Sequence, residues 1–217
     1  YISDDAEFPK IFGNMNIGQC IQICWNESTG KVLTDTLGAI LLRIPMWIWK
    51  LADSFFYLFI ARCITLMFIK DKLLYRMVFC LLMFMYPVKY LESAGYIVTS
   101  TNYVYTGAGI ILTFLPHMVA LRTKWIRVCS YLLSFIGVIY AADQEQSGVF
   151  ILSLLGFYLV FQIYYLKNVE EKTASLKFYI RLALFQLMLG MTSFCFLFVS
   201  PAHRRRAAEV GGQFAVP

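Results

Sequence analysis

The chain has 217 residues, of which 59% are hydrophobic and only 15% are charged, and its mean hydropathy is +0.65. Soluble domains carry about 25% charged residues, so this composition excludes a water-soluble globular fold of this size. A net charge of +6 would suggest nucleic acid in a soluble protein. In a membrane protein it is explained by cationic loops that stay cytoplasmic, and we expect no nucleic-acid partner.

The apolar runs of the chain predict an all-α, polytopic transmembrane helical bundle with five to six spans. Several runs approach the roughly 20 residues that cross a bilayer as a helix. A transmembrane β-barrel would alternate apolar and polar residues, and stretches such as GAGIILTFLPHMVAL (residues 107–121) do not alternate. Residues 36–200 are therefore expected to form the membrane domain.

The polar segment 1–35 comes first and is predicted to lie in the lumen. It carries five acidic residues against two lysines, and its tripeptide NES is an acceptor pattern for N-glycosylation at Asn26. Cys20 and Cys24 stand four residues apart in the same segment. In an oxidising lumen they could form a disulfide, and free thiols near the membrane interface are the alternative.

Six apolar runs follow, and the first is too long for one crossing. It extends over 36–69, and Pro45 is a candidate kink within it. The neutral sequence TSTNYVY (residues 99–105) is predicted to be a short loop, and residues 201–217 are predicted to be an unstructured tail. The runs that we assign to spans cover roughly 36–69, 77–98, 106–121, 126–141, 148–166 and 178–200.

The charge of the loops orients the predicted bundle. Loops 70–76 and 122–127 are basic, whereas loop 142–147 is acidic. Cationic loops stay cytoplasmic, which places the segment 1–35 in the lumen. The sixth run then puts the basic sequence HRRR (residues 203–206) on the luminal side. This run is therefore either re-entrant or followed by an unusual carboxyl end.

Ionisable residues inside the spans form the candidate site, because a charge within the bilayer needs a partner or a function. Lys50 and Asp53 are three residues apart in the first span, and Lys89 and Glu92 repeat that spacing in the second. Side chains at this spacing share a helix face and can neutralise each other. We expect them to line a polar cleft for a lipid headgroup, with Arg43 as partner of an anionic group. Alternatively, they only fix helix packing or snorkel to the headgroups.

His117 is the only histidine inside a predicted span. Its imidazole is a candidate general base near neutral pH, with Glu92 as the group that orients it or shares its proton. The alternative is a histidine that only makes a packing hydrogen bond. A zinc site usually needs more than one histidine, and His203 lies in the tail, so we predict no metal site and no cofactor.

Four sequence blocks stand in a characteristic order: ILLRIPMWIWKLADSFFYL, YLESAGYIVTS, GAGIILTFLPHMVALRTKW and WIRVCSYLLSFIGVIYAADQEQSGVFILSLLGFYLVF. In order and spacing they resemble the Frag/DRAM/Sfk family of membrane proteins, most closely its post-GPI-attachment-to-proteins factor 2 branch. The opening YISDDAEFPKIFG resembles a luminal loop motif of another branch. The resemblance covers roughly residues 1–167, and its most specific points are Glu92, His117 with Met118, and QSGVF at the start of the fifth span.

The resemblance implies a six-span protein of the Golgi or endoplasmic reticulum membrane. The branch takes part in remodelling the lipid of glycosylphosphatidylinositol (GPI) anchors, where a lyso-anchor regains an acyl chain. Whether members act as acyltransferase-like enzymes or assist another enzyme stays open. The implied partners are a membrane lipid or a GPI-anchored protein. The alternative function is a non-enzymatic scaffold or lipid-organising adaptor with a membrane-protein partner. The chain departs from the branch by lacking a span ahead of YISD and by its extra run 178–200.

Overall fold

A computed structural model describes residues 10–68, 73–84, 96–118, 123–168 and 174–214. Within these ranges the secondary structure is helical and contains no strand, which confirms the predicted all-α class. The elements are α1 (Ile17–Asn26), α2 (Val32–Leu41), α3 (Met46–Phe68), α4 (Leu73–Phe84), α5 (Tyr96–Thr99), a π-helix (Ser100–Val104), α6 (Tyr105–Met118), α7 (Lys124–Ala142), α8 (Glu145–Asn168), α9 (Ala174–Val199) and α10 (Pro201–Phe214).

Four of the described helices are long and apolar enough to cross a membrane. The crossing segments are Met46–Phe68 of α3, Lys124–Ala142 of α7, Glu145–Leu166 of α8 and Leu176–Val199 of α9. At 1.5 Å per residue each spans about 30 Å or more, which matches the hydrocarbon core of a bilayer. The chain is therefore a multi-pass membrane protein.

Helices α6 to α9 pack together as the centre of the bundle. Val138, Ala141, Ile151 and Leu155 form a fully buried cluster between α7 and α8, against which side chains of α6 and α9 pack. Helix α3 packs on the outside of α6, and α4 packs against α3. Helix α6 therefore lies between α3 and the remaining central helices, α7 to α9.

Two glycines let α6 and α7 approach at backbone distance. A Cβ atom on Gly109 would lie 2.7 Å from the carbonyl oxygen of Gly137, and a Cβ on Gly137 would lie 2.6 Å from that of Gly109. No side chain fits at either position without moving backbone. Small residues commonly serve this purpose in membranes, where helix association depends on close van der Waals packing.

The long first apolar run is divided into two helices, α2 and α3, rather than forming one kinked span. Helix α2 ends at Leu41, and α3 begins at Met46, directly after Pro45. Proline has no N–H and restricts the preceding residue to extended backbone, so it suits the start of a helix and not its interior. Pro45 was predicted as a kink, and it marks the break between the two helices.

The predicted loop TSTNYVY is helical, which corrects the sequence interpretation. Its residues close α5, form the π-helix and begin α6, so the backbone is helical from Tyr96 to Met118. The hydroxyl of Thr101 donates to the carbonyl of Val98 at 3.0 Å, and that of Thr106 donates to the carbonyl of Thr101 at 3.3 Å. Local hydroxyl bonds of this kind satisfy polar side chains inside a helix, so their polarity did not mark a loop.

One end of the bundle is covered by α1, α2 and α10, which we call the cap. Asp143, in the turn between α7 and α8, accepts hydrogen bonds from the backbone N–H groups of Leu33 at 2.9 Å and Thr34 at 3.0 Å. These groups belong to the first turn of α2 and would otherwise lack intrahelical partners. Asp143 thus acts as the helix cap of α2 from a distant part of the chain.

The carboxyl end is also part of the cap, which corrects the expected unstructured tail and removes one of the two alternatives for the sixth run. Residues 201–214 form α10 instead of an unstructured tail, and α9 is continuous over 174–199 instead of re-entrant. Arg205 donates to the carbonyl oxygen of Asn26, and His203 Nδ1 lies 3.4 Å from Glu145 Oε1. Within the basic sequence HRRR, His203 therefore contacts an acidic side chain of α8, and Arg205 contacts the backbone at the end of α1.

Candidate functional site

His117 is held by a hydrogen-bonded chain that crosses from α6 to α9. Its Nε2 lies 2.8 Å from Gln186 Oε1, and Gln186 Nε2 donates to the carbonyl oxygen of Thr113 at 3.0 Å. Thr113 and His117 are one turn apart on α6, so both face the same neighbouring helix. Gln186, fully buried in α9, joins them.

This chain fixes the tautomer of the imidazole. The carbonyl of Thr113 can only accept, so the amide nitrogen of Gln186 must face it and the amide oxygen must face His117. The amide oxygen in turn only accepts, which requires the proton on His117 Nε2. His117 Nδ1 is therefore the nitrogen with the free lone pair, and it is buried without a hydrogen-bond partner among the described residues.

Aromatic rings from three helices enclose the imidazole. The ring of Tyr158 on α8 lies 4.8 Å from that of His117, and the ring of Tyr179 on α9 lies 5.8 Å away. Phe114, on α6 itself, is 6.4 Å away. The neutral imidazole thus presents its buried Nδ1 among these rings as an acceptor for a hydrogen bond or a proton.

A second polar contact inside the bundle joins α3 to α6. The hydroxyl of Tyr105 donates to Asp53 Oδ1 at 2.8 Å, and the ring of Tyr105 meets that of Phe56 edge-on at 4.6 Å. Lys50, three residues before Asp53, is exposed, and these two residues form no ion pair. The pairing that their spacing predicts is replaced by a tyrosine–carboxylate hydrogen bond.

The two polar contacts are separate sites. Tyr105 and His117 are 12 residues apart on one helix, which corresponds to about 18 Å along its axis. Asp53 and His117 therefore do not share one cleft. Lys89 and Glu92, the other pair predicted for this cleft, lie outside the described residues, and so does the predicted contact between Glu92 and His117.

Arg43 lies at the elbow between α2 and α3 and holds the cap to the bundle. Its Nη2 donates to the carbonyl of Phe12 at 2.5 Å and lies 3.1 Å from the sulfur of Cys20. These contacts use one nitrogen of the guanidinium of an exposed residue, so the predicted role of Arg43 as partner of an anionic lipid group stays a prediction. Cys20 and Cys24 are both buried free thiols, so the disulfide alternative is wrong and the thiol alternative holds.

Asn26, the predicted glycosylation acceptor, is the last residue of α1 and is half-buried. Its backbone carbonyl is a contact point for Arg205 of α10. A glycan at this position would have to leave the cap beside α10.

Two buried carboxylates, one in the cap and one in the α7–α8 turn next to it, were not singled out by the sequence interpretation. Asp35 is 3% exposed and Asp143 is 2% exposed. Burial raises the pKa of Asp143 to about 7, against the lowering effect of its bonds to Thr34 and Leu33, and Asp35 raises it further by repulsion. Burial also raises the pKa of Asp35, which accepts a hydrogen bond from the hydroxyl of Thr29.

Glu145 links the cap to the start of α8. Its carboxylate lies 3.7 Å from Lys31 Nζ as well as close to His203. Within the described ranges, no three His, Cys, Asp or Glu side chains lie close enough together to hold a metal ion. The acidic residues of the cap thus contact helix ends and cations of the protein itself.

Gln186 and the tyrosines around His117 are the residues that sequence reasoning missed. That reasoning searched the spans for ionisable groups, and an amide carries no charge. Gln186 is nevertheless the one amide in the apolar sequence LALFQLMLG (residues 182–190), and this contrast could have marked it. A buried amide needs partners as a buried charge does, although the energy at stake is smaller.

No protein-family model, no curated protein and no solved structure matches the chain.

Proposed function

We propose that the protein is a membrane factor that handles a lipid in the remodelling of GPI anchors, in the Golgi or endoplasmic reticulum membrane. The observation that carries this proposal is the lone pair of His117 Nδ1, which is buried inside a membrane bundle without a partner among the described residues. A buried polar atom of this kind requires an explanation, such as a ligand group that donates to it. The sequence blocks that resemble the GPI-remodelling branch supply the class of lipid.

The chemistry available to His117 is that of a base. In reacylation, the free hydroxyl of a lyso-lipid attacks an acyl carbonyl, the new ester bond forms, the bond to the acyl donor breaks, and the hydroxyl proton leaves. Nδ1 can take that proton while Gln186 Oε1 stabilises the resulting imidazolium through Nε2–H. In an accessory role, the same Nδ1 accepts a hydrogen bond from the lipid hydroxyl and holds it in place.

The test is rescue of cells that lack the endogenous protein, with surface display of a GPI-anchored reporter as the readout. We expect His117→Ala to abolish rescue. His203→Ala is the matched control, because it deletes the other imidazole of the chain, in the cap. Restored display by His117→Ala at normal expression would exclude His117 as base and as lipid contact.

A second pair of variants assigns the half of the bundle in which the lipid is handled. His117→Gln and Asp53→Asn change the two separate polar sites while keeping hydrogen-bonding capacity. Under the proposal, His117→Gln lowers the turnover of anchor lipid, measured by mass spectrometry of the anchors, more than Asp53→Asn does. The reverse order would move the reaction to the site between α3 and α6.

The alternative function, a scaffold or lipid-organising adaptor, is supported by one feature. Lys124 and Arg127 are exposed at the start of α7, at the end of this helix opposite the cap. Basic residues next to a span attract anionic lipids and acidic partners. Charge reversal of both residues separates the two functions, because loss of rescue with His117 intact favours the scaffold, and retained rescue favours the lipid-handling site.

A further inference from the structure

Polar side chains of α3 and of the segment around the π-helix lie near one another, away from His117, and we call this cluster the Asp53 pocket. Trp49 and Asp53 are one turn apart on α3 and therefore lie on the same face, which packs towards α6. The indole of Trp49 packs against Ile97 and Val98, just before the π-helix. Tyr105, directly after the π-helix, reaches Asp53 with its hydroxyl. Asp53 thus lies where α3, α5 and α6 meet.

Two buried groups of this pocket lack partners. Within the described residues, Trp49 Nε1 and Thr99 Oγ1 have no partner at hydrogen-bond geometry, although both residues are only 6% exposed, and the indole of Trp49 has only a weak polar contact with the hydroxyl of Tyr105. An indole N–H can only donate, and a buried donor without an acceptor is rare in folded proteins. The pair therefore calls for a ligand that brings oxygen atoms to this position.

The π-helix is a second indication of a ligand site. It carries an extra residue in its turn between Thr99 and Tyr105, and such insertions occur frequently at functional sites. Tyr140 of α7 stabilises it by donating from its hydroxyl to the carbonyl of Thr101 at 2.9 Å. The irregular segment is thus held in place by a neighbouring helix.

A positive charge beside Asp53 would stabilise its carboxylate. Among the described residues, no cation forms an ion pair with it, and Lys50 one turn away is exposed. A charge buried in a bilayer is expensive unless it is paired. The rings of Phe56 and Tyr105 beside it offer π faces, which attract an ammonium group.

We propose that this pocket binds the phosphoethanolamine headgroup of a phospholipid. The ammonium group donates to Asp53 between the aromatic rings, and the phosphate or ester oxygens accept from Trp49 Nε1–H and the hydroxyl of Thr99. Asp53 lies seven residues after the start of α3, about 10 Å along the helix. Asp53 therefore lies inside the membrane-crossing segment, and the headgroup must enter the bundle to reach it. The site is distinct from the His117 site and does not depend on the proposed remodelling function.

The test uses the full chain purified in dodecyl maltoside, with its thermal unfolding midpoint measured as lipids are added. We expect short-chain phosphatidylethanolamine to raise the midpoint in a saturable way. Phosphatidylcholine, whose methylated ammonium cannot donate to Asp53, should act more weakly, and phosphatidylglycerol, which has no ammonium, should have no saturable effect. Equal shifts with all three lipids would overturn the proposal.

Variants assign the effect to the pocket. Asp53→Asn should weaken phosphatidylethanolamine binding by about ten- to a hundred-fold, the range for loss of a hydrogen bond to a charged group. Trp49→Phe keeps an aromatic ring but removes the N–H, so it should weaken binding without unfolding the protein. Lys50→Gln is the matched control and should bind as wild type does. Unchanged binding by both Asp53→Asn and Trp49→Phe would place the lipid elsewhere and refute the site.

Discussion

The stability of the cap is expected to fall as pH rises, because Asp143 is buried in the folded protein. An ordinary aspartate in the unfolded chain has a pKa of about 3.9, whereas burial raises the pKa of Asp143 to about 7. The folded state therefore binds the proton more tightly than the unfolded state does. The contribution of Asp143 to the free energy of unfolding is therefore most favourable below the pKa of the unfolded chain. It is lost progressively between about pH 4 and pH 7 and stays constant above that range.

The size of the effect follows from the same two values. A shift of about three pKa units corresponds to about 4 kcal/mol, since each unit is about 1.36 kcal/mol. Roughly 3 kcal/mol of this falls between pH 5 and pH 8. Asp143→Asn removes the titration but retains an amide oxygen that can accept from the N–H groups of Leu33 and Thr34. The variant should therefore gain stability relative to wild type as pH rises.

The assay is chemical unfolding of the purified chain in mixed micelles from pH 5 to pH 8. The difference in unfolding free energy between Asp143→Asn and wild type isolates this group from the other titrating residues. Burial is the main cause of the raised pKa, and Asp35→Asn tests the smaller contribution of repulsion from Asp35, whose removal should move the transition to lower pH. A difference between Asp143→Asn and wild type that stays constant across this range would refute the reasoning.

Two further predictions concern the interior of the bundle. Gly137→Val should destabilise the protein by about 1–3 kcal/mol or more in the same unfolding assay, because the valine side chain would meet the backbone of Gly109. Gly107→Ala is the control, since a Cβ atom at Gly107 would meet no other atom within 4 Å. Gln186→Leu should release the tautomer of His117, so nitrogen NMR in a His203→Ala background should change from a protonated Nε2 to a mixture of tautomers. A single Nε2–H form in both proteins would contradict the assigned hydrogen-bonded chain.

The class of the fold was readable from the sequence because bilayer solvation imposes a strong and local rule. Each crossing segment must satisfy its own backbone hydrogen bonds and expose apolar side chains, so hydropathy alone identifies α7, α8 and α9. The rule weakens where polar residues satisfy each other inside a helix. The hydroxyl of Thr101, for example, donates to the carbonyl of Val98 three residues earlier, and the polar segment that contains Thr101 was misassigned to a loop.

The candidate site was only partly predictable, for a different reason. The importance of His117 and Asp53 followed from the cost of polar groups in the membrane. Their partners did not, because Gln186 and Tyr105 reach them from other helices and no local spacing encodes such contacts. The spacing of Lys50 and Asp53 was compatible with an ion pair. Lys50 is exposed and can be solvated instead, and the partner of Asp53 is Tyr105 of α6.

The long-range cap of α2 has a consequence for biogenesis. The first turn of α2 receives its hydrogen bonds from a residue that is synthesised 109 positions later. During translation, the first turn of α2 can form these hydrogen bonds only after the α7–α8 hairpin has been inserted and its turn lies on the same side of the membrane as α2. Nascent chains that stop before this turn should therefore remain sensitive to protease around residue 33, and those that continue past it should become resistant. The hairpin insertion step would thus act as an assembly checkpoint for the amino-terminal segment.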